Sequence, residues 1–154
     1  ASMKYKKFGK IDFKKLHPAG SLGAQLKTAE DIMITGNKIP FVSENLKTNK
    51  ALNILTEKKL GILVVRDKKN RTKGIITDGQ IRRVSQKNSN FQKLLVKEIM
   101  TKKPIFIDKN ILAAKALALM NNKKITSLLV CNNKKPFLTI GVIHVHTILQ
   151  SNIS

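Results

Sequence analysis

Aromatic residues are scarce. Tryptophan is absent, tyrosine occurs once and phenylalanine six times, too few for a platform on which successive bases would stack. Cysteine occurs once, as Cys131 at the end of an apolar run. One cysteine cannot staple a fold, and a lone one packs as a small apolar side chain, so a reducing, cytoplasmic setting is expected. No apolar run approaches the ~20 residues of a membrane span. The lysine-rich start has no apolar h-region, which predicts no signal peptide and no membrane contact. Acidic residues are also few, nine against thirty Lys and Arg, which leaves a formal charge of +21.

Such a charge invites a nucleic-acid or polyanion reading. The basic residues are nearly all lysine, however: the arginines are Arg66, Arg71, Arg82 and Arg83. Bidentate recognition of bases and phosphates favours arginine. The lysines run through the whole chain, and together with abundant asparagine they resemble a compositional bias. Specific nucleic-acid binding is therefore not expected, although non-specific attraction to polyanions follows from charge alone.

The chain does contain a tandem repeat. Lys50, Ala51, Leu52, Lys58, Lys59 and Val65 recur as Lys115, Ala116, Leu117, Lys123, Lys124 and Val130, and the apolar positions between them stay apolar. Gly74-Ile75-Ile76-Thr77 matches Gly141-Val142-Ile143-His144, and Asp31-Ile32-Met33 matches Glu98-Ile99-Met100. A repeat of this kind sets the architecture before propensity is consulted. It predicts two similar lobes, residues 31–90 and 91–154, with ligand space between them. Residues 1–30 stand outside the repeat as a remnant of something upstream. With 42% apolar residues, a chain of this length can build a core.

Within repeat one, Ile39-Pro40-Phe41-Val42 reads as extended. Thr48 is the expected N-cap of a helix over 49–58 with Ala51, Leu52 and Leu55 on one face. Two β-runs, 62–66 and 73–77, flank the turn Asp67-Lys68-Lys69-Asn70, and Asp78 is expected to cap the next helix. Repeat two follows suit, with 104–107 extended and Asp108 capping a helix that carries Leu112, Ala116 and Leu119. A hairpin of 127–131 and 139–143 precedes a final helix with Val145, Ile148 and Leu149. Each repeat is β-α-β-β-α, an α/β (α+β) class.

A β-α-β-β-α repeat present twice resembles the cystathionine-β-synthase (CBS) domain pair, a regulatory module with pseudo-two-fold symmetry. Asp31-Ile32-Met33-…-Gly36, Gly74-Ile75-Ile76-Thr77-Asp78-Gly79-Gln80-Ile81-Arg82-Arg83, Ile99-Met100-Thr101-…-Pro104 and Gly141-Val142-Ile143-His144-Val145-His146 together resemble the arabinose-5-phosphate isomerases. These join a sugar-isomerase (SIS) domain to a C-terminal CBS pair. Asp12 to Gly23, through His17-Pro18-Ala19-Gly20, resembles the end of that SIS domain. The resemblance implies a parent enzyme interconverting D-ribulose 5-phosphate and D-arabinose 5-phosphate for synthesis of a lipopolysaccharide octulosonate. It also implies that this portion regulates and does not catalyse. An aldose–ketose isomerase needs a phosphate pocket and an acid/base pair. His17 matches a family histidine of the SIS active site and is the one catalytic-type remnant.

The resemblance further implies a ligand site. Thr77 takes the place of a family hydroxyl residue, and Gln80 stands where an Asp would hold ribose. In repeat two, His144 and Thr147 take the corresponding places. Gln80 has one neutral acceptor oxygen where a carboxylate has two, so an adenine nucleotide should bind weakly. A pyrimidine nucleotide or a CMP-sugar should bind better, with Thr77, Asp78, Arg82, His144, His146 and Thr147 as contacts. The same corners also fit capped strand ends that bind nothing. His144-x-His146 on a strand would share one face. No third ligand lies at metal spacing, so neither a metal nor another cofactor is expected. The apolar helix faces predict self-association into a dimer, and the resemblance implies a tetramer for the longer protein.

Overall fold

The computed structural model describes residues 26–150; His17 lies outside them. In chain order the elements are α1 (Ala29–Ile32), β1 (Phe41–Ser43), α2 (Thr48–Lys58), β2 (Ile62–Arg66), β3 (Thr72–Thr77), α3 (Asp78–Lys87), α4 (Val96–Ile99), β4 (Thr101–Lys102), β5 (Phe106–Asp108), α5 (Ala113–Lys123), β6 (Ser127–Cys131), β7 (Gly141–His144) and α6 (Val145–Gln150). Two compact units form. Among the described residues, one comprises Thr35–Pro104 with Phe137–Thr139, and the other comprises 26–34, Ile105–Pro136 and 140–150. Repeats 31–90 and 91–154 follow likeness of sequence, whereas these units follow contact, and the two divisions cut the chain differently.

In the unit of Thr35–Pro104 the sheet order is β1-β2-β3-β4. β1 and β2 are parallel, with Val42 opposite Val65, and the crossover between them is α2. β2 and β3 form an antiparallel hairpin with Leu63 opposite Ile76. Asn70, at φ 65°, and Asp67 make its turn; the Asp67 carboxylate accepts the amides of Lys69 and Arg71. Ile62 to Val65 is buried at every position, as suits an unbroken apolar run in a strand covered on both faces. Val42, Ala51, Leu55, Leu63, Val65, Ile76, Val96 and Ile99 form one core cluster. Each large aliphatic side chain there contributes roughly 1.5–3 kcal/mol by leaving water.

The other unit repeats the plan. β5 and β6 are parallel and β6 and β7 antiparallel. Its core includes Ala29, Ile32, Ala116, Leu117, Met120, Leu128, Val130 and Ile143. In both units the crossover helix ends in a lysine with left-handed backbone, Lys59 at φ 60° and Lys124 at φ 57°. A lysine precedes each of them in the last helical turn, where a cation meets the negative end of the helix dipole.

The recurrent Ile-Met segments dock across the repeats. Ile34, from the start of repeat one, bridges Val142 of β7, and the Ala29 amide donates to the Ile111 carbonyl at 2.7 Å. β4, from the start of repeat two, pairs with β3, with Lys102 opposite Gly74, and the Val96 amide donates to the Leu46 carbonyl at 2.8 Å. Gly74 and Gly141 permit this docking. A Cβ on Gly74 would stand 2.5 Å from the Thr101 carbonyl oxygen, and one on Gly141 would stand 2.6 Å from Met33 Cγ and overlap its sulfur. The acidic residue of each segment also has a defined task. Asp31 accepts the Thr28 amide and Glu98 accepts the Leu95 amide, both at 2.8 Å, closing the first turn of α1 and of α4.

Three expected caps act otherwise. Thr48 is the first residue of α2, not its cap; it is fully buried and its hydroxyl donates to the Leu94 carbonyl at 2.9 Å. Asp78 is the first residue of α3, and the cap is its predecessor Thr77. Asp108 ends β5, and its carboxylate accepts the amides of Asn110 and Asn133 at 3.0 and 2.9 Å. Those bonds, the Asn110 amide first, hold its carboxyl below the usual range.

Candidate functional site

Two strand-to-helix corners carry the residues of interest, one in each unit. At the first, β3 ends on Thr77 in extended conformation, and its hydroxyl oxygen accepts the Gln80 amide at 3.2 Å. The Asp78 amide is engaged as well, donating to the Gly61 carbonyl at 3.4 Å, so the Thr77 side chain stands short and polar at a helix start whose amides are largely satisfied. Asp78 follows on the surface, and its carboxylate stands over Gly61: a Cβ there would be 3.2 Å from Asp78 Oδ2. Gly61 has φ 72°, a left-handed value that favours glycine. Gly61 is absent from the residues that the motifs single out. A glycine just before the β2 run was the available signal.

Gln80 has both ends of its amide engaged. Its Nε2 donates to the Ile99 carbonyl at 2.9 Å, tying α3 to α4. Its Oε1 accepts from Arg83, Nη2 at 2.9 Å and Nε at 3.3 Å. Arg83 folds back along the helix, with Nη1 3.5 Å from where a Gly79 Cβ would stand; Thr77 Oγ1 is 3.9 Å from the same point. A guanidinium, a hydroxyl and the N-terminal end of α3 thus gather at one corner, a setting that favours negative charge. Arg82 is exposed, and its carbonyl accepts the Ser85 hydroxyl at 2.8 Å.

At the second corner His144 ends β7, and its Nδ1 accepts the His146 amide at 3.2 Å. An imidazole thus takes the capping place that the Thr77 hydroxyl has at the first corner. With Nδ1 accepting, the neutral ring carries its proton on Nε2. The two imidazoles stack, with centroids 5.0 Å apart and 25° between planes. Burial, and then the nearby His146, push the His144 pKa below its ordinary value. The expectation that both histidines lie on one strand face is corrected here: β7 stops at His144 and His146 belongs to α6. The strand ends because the Nδ1 bond starts the helix. Thr147 lies in α6, and its side chain is outside the described residues.

Thr77, Asp78, Gln80 and Arg82 therefore share the first corner, and His144 and His146 the second. Among the described residues no group of three His, Cys, Asp or Glu is placed to hold a metal. Cys131 is buried, and burial, then Asp108, raises its thiol pKa, so it is protonated and poorly nucleophilic. No helix among the described residues is long and apolar enough to cross a membrane.

A family model described as CBS domain matches residues 29–87 and 96–153. The arabinose 5-phosphate isomerase KdsD of Yersinia pestis is 38% identical over 99% of this chain and 46% of that protein. The chain thus spans less than half the length of that relative. Two solved structures share the fold. A CBS-domain containing protein from Agrobacterium tumefaciens has a TM-score of 0.73 at 17% identity, covering 84% of this chain and 96% of that one. CBSX2 in complex with AMP has a TM-score of 0.70 at 21% identity, covering 82% and 96%.

Proposed function

We propose, given that this chain belongs to the CBS domain family, that it is the regulatory portion of an arabinose 5-phosphate isomerase and responds to a nucleotide or nucleotide sugar. One observation carries the reading: the tandem module is 38% identical, over nearly its whole length, to part of an enzyme of that name. Interconversion of arabinose 5-phosphate and ribulose 5-phosphate would then belong to the portion of such relatives that this chain does not span. The purified chain is expected to show no isomerase turnover above a buffer control.

The chemistry of the first corner supports this ligand class. A ribose cis-diol is clasped by free acceptors, yet Gln80 Oε1 is occupied by Arg83 and Gln80 Nε2 by the Ile99 carbonyl. The cationic Arg83 at the start of α3 favours a phosphate or a sugar acid instead. A CMP-linked sugar acid offers both groups. Isothermal titration of AMP, ATP, CMP and the CMP-octulosonate tests this. Heat from the cytidine compounds with little from AMP is expected. Micromolar AMP with silence from the cytidine pair overturns it, and silence from all four makes the corners purely structural.

Self-association belongs to the same reading. Leu112 is 41% exposed and Leu26 69%, and Leu52 and Leu119 are only half-buried. A second copy covering such groups would remove apolar surface from water. Light scattering is expected to give a dimer mass, and a monomer at high concentration contradicts it.

A further inference from the structure

We infer that the unit of Thr35–Pro104 and Phe137–Thr139 carries a sequence-independent docking surface for single-stranded nucleic acid, at the sheet end formed by the β2–β3 hairpin and β4. All four arginines fall in this unit, and its acidic residues are Glu44, Glu57, Asp67, Asp78 and Glu98 alone. Five lysines stand at the hairpin end. Lys68 and Lys69 lie in the turn, Lys73 on β3, and Lys102 on β4 opposite Gly74, with Lys103 next in the chain. All five are exposed, and among the described residues none of them has an ion pair. Asp67 is the acidic residue of the turn, but its carboxylate is committed to Arg71 Nε at 2.9 Å and to two backbone amides.

An aromatic ring stands at the same end. Phe137 is 50% exposed, and its carbonyl accepts the Thr72 amide at 2.8 Å. Two residues on, the Thr139 hydroxyl lies 2.6 Å from the Thr72 hydroxyl. These bonds fix the Phe137 segment against the strand residue that precedes Lys73.

The chemistry selects the occupant. Lysine ammonium groups neutralise phosphates as point charges without the fork that reads a base edge, which gives affinity without sequence preference. One ring can stack one unpaired base, and a duplex keeps its base faces covered. A bilayer demands a broad apolar face beside the cations, and here a single ring stands among charges.

Fluorescence anisotropy of the whole chain with a labelled uridylate oligomer tests the inference, with heparin and a DNA duplex as comparisons. Affinity should fall with rising salt. Lys69→Glu/Lys73→Glu/Lys102→Glu should weaken binding by about tenfold or more. Lys115→Glu/Lys123→Glu/Lys134→Glu, with the same net charge, should change it by less than about twofold. Phe137→Ala and Phe137→Leu should both weaken oligomer binding by about fivefold and leave heparin binding unchanged. Circular dichroism checks that each variant is folded. Equal losses in the two triple variants, or no effect at Phe137, overturn the inference in favour of bulk charge. Binding to phosphatidylserine-containing vesicles without oligomer binding overturns it in favour of a membrane.

Discussion

Met33 lies on Gly141, its side chain filling the space where any larger residue would place a Cβ. Met100 stands over Gly74 in the same way, 2.9 Å from the corresponding point through its sulfur. Both glycines end the approach of an Ile-Met segment to a sheet. Gly141→Ala and Gly74→Ala should each destabilise the fold by about 1–3 kcal/mol through overpacking, read as a lower urea midpoint. The two should differ in rescue. Met33→Ala removes the Cγ and sulfur overlaps and should recover part of the Gly141→Ala loss. Met100→Ala should recover little for Gly74→Ala, because the Thr101 carbonyl is backbone.

Thr77→Ala removes the oxygen that accepts the Gln80 amide. A loss of about 1 kcal/mol is expected. Thr77→Ser keeps the oxygen and should stay close to the parent in the same denaturation experiment.

Gln80→Glu keeps an acceptor for Arg83 but cannot donate to the Ile99 carbonyl. Two oxygens then face each other, and a loss of about 1–3 kcal/mol is expected. Amide hydrogen exchange should rise in Val96–Ile99 more than in Ile62–Arg66. Equal protection in the two segments would show that Gln80 does not tie the helices together.

His144 gives a pH dependence of known sign. Its folded pKa lies below the ordinary 6.5 because burial, with His146 adding to it, disfavours the charged ring. The folded state therefore holds fewer protons than the unfolded one. Its stabilising contribution is complete above about pH 6.5 and is lost as pH falls through the folded value. Urea midpoints measured from pH 7.5 down to 5 should decline, and His144→Asn, which keeps an acceptor but does not titrate, should flatten that decline.

The repeat was visible because identical residues recur, and both Ile-Met segments were recognised. Which sheet each would join could not be read, since two like copies offer two like surfaces. Cap residues were displaced for a related reason. Thr77 and Asp78 are adjacent and both suit a helix start, and only the backbone shows that Thr77 is the one still extended. The sequence around Asp108 suits a cap because carboxylates favour helix starts; in the fold it serves two loop amides, one of them twenty-five residues away. The engagement of Gln80 by Arg83 needed only helix spacing, since i and i+3 share a face. Its bond to the Ile99 carbonyl is long-range and left no local trace.

The cross-docking of α1 and β4 bears on how such a chain could arise and be cut. A single repeat supplies a sheet whose edge position is filled from the other copy, and it supplies its own Ile-Met segment to that other copy. Cleavage near residue 90 would therefore give two pieces, each missing part of its own unit and holding part of the other's. Neither piece should fold alone, and mixing them should restore cooperative unfolding. A lone ancestral copy would have had to lend the same segment to a twin, so duplication here would have turned an exchange between molecules into one within a molecule.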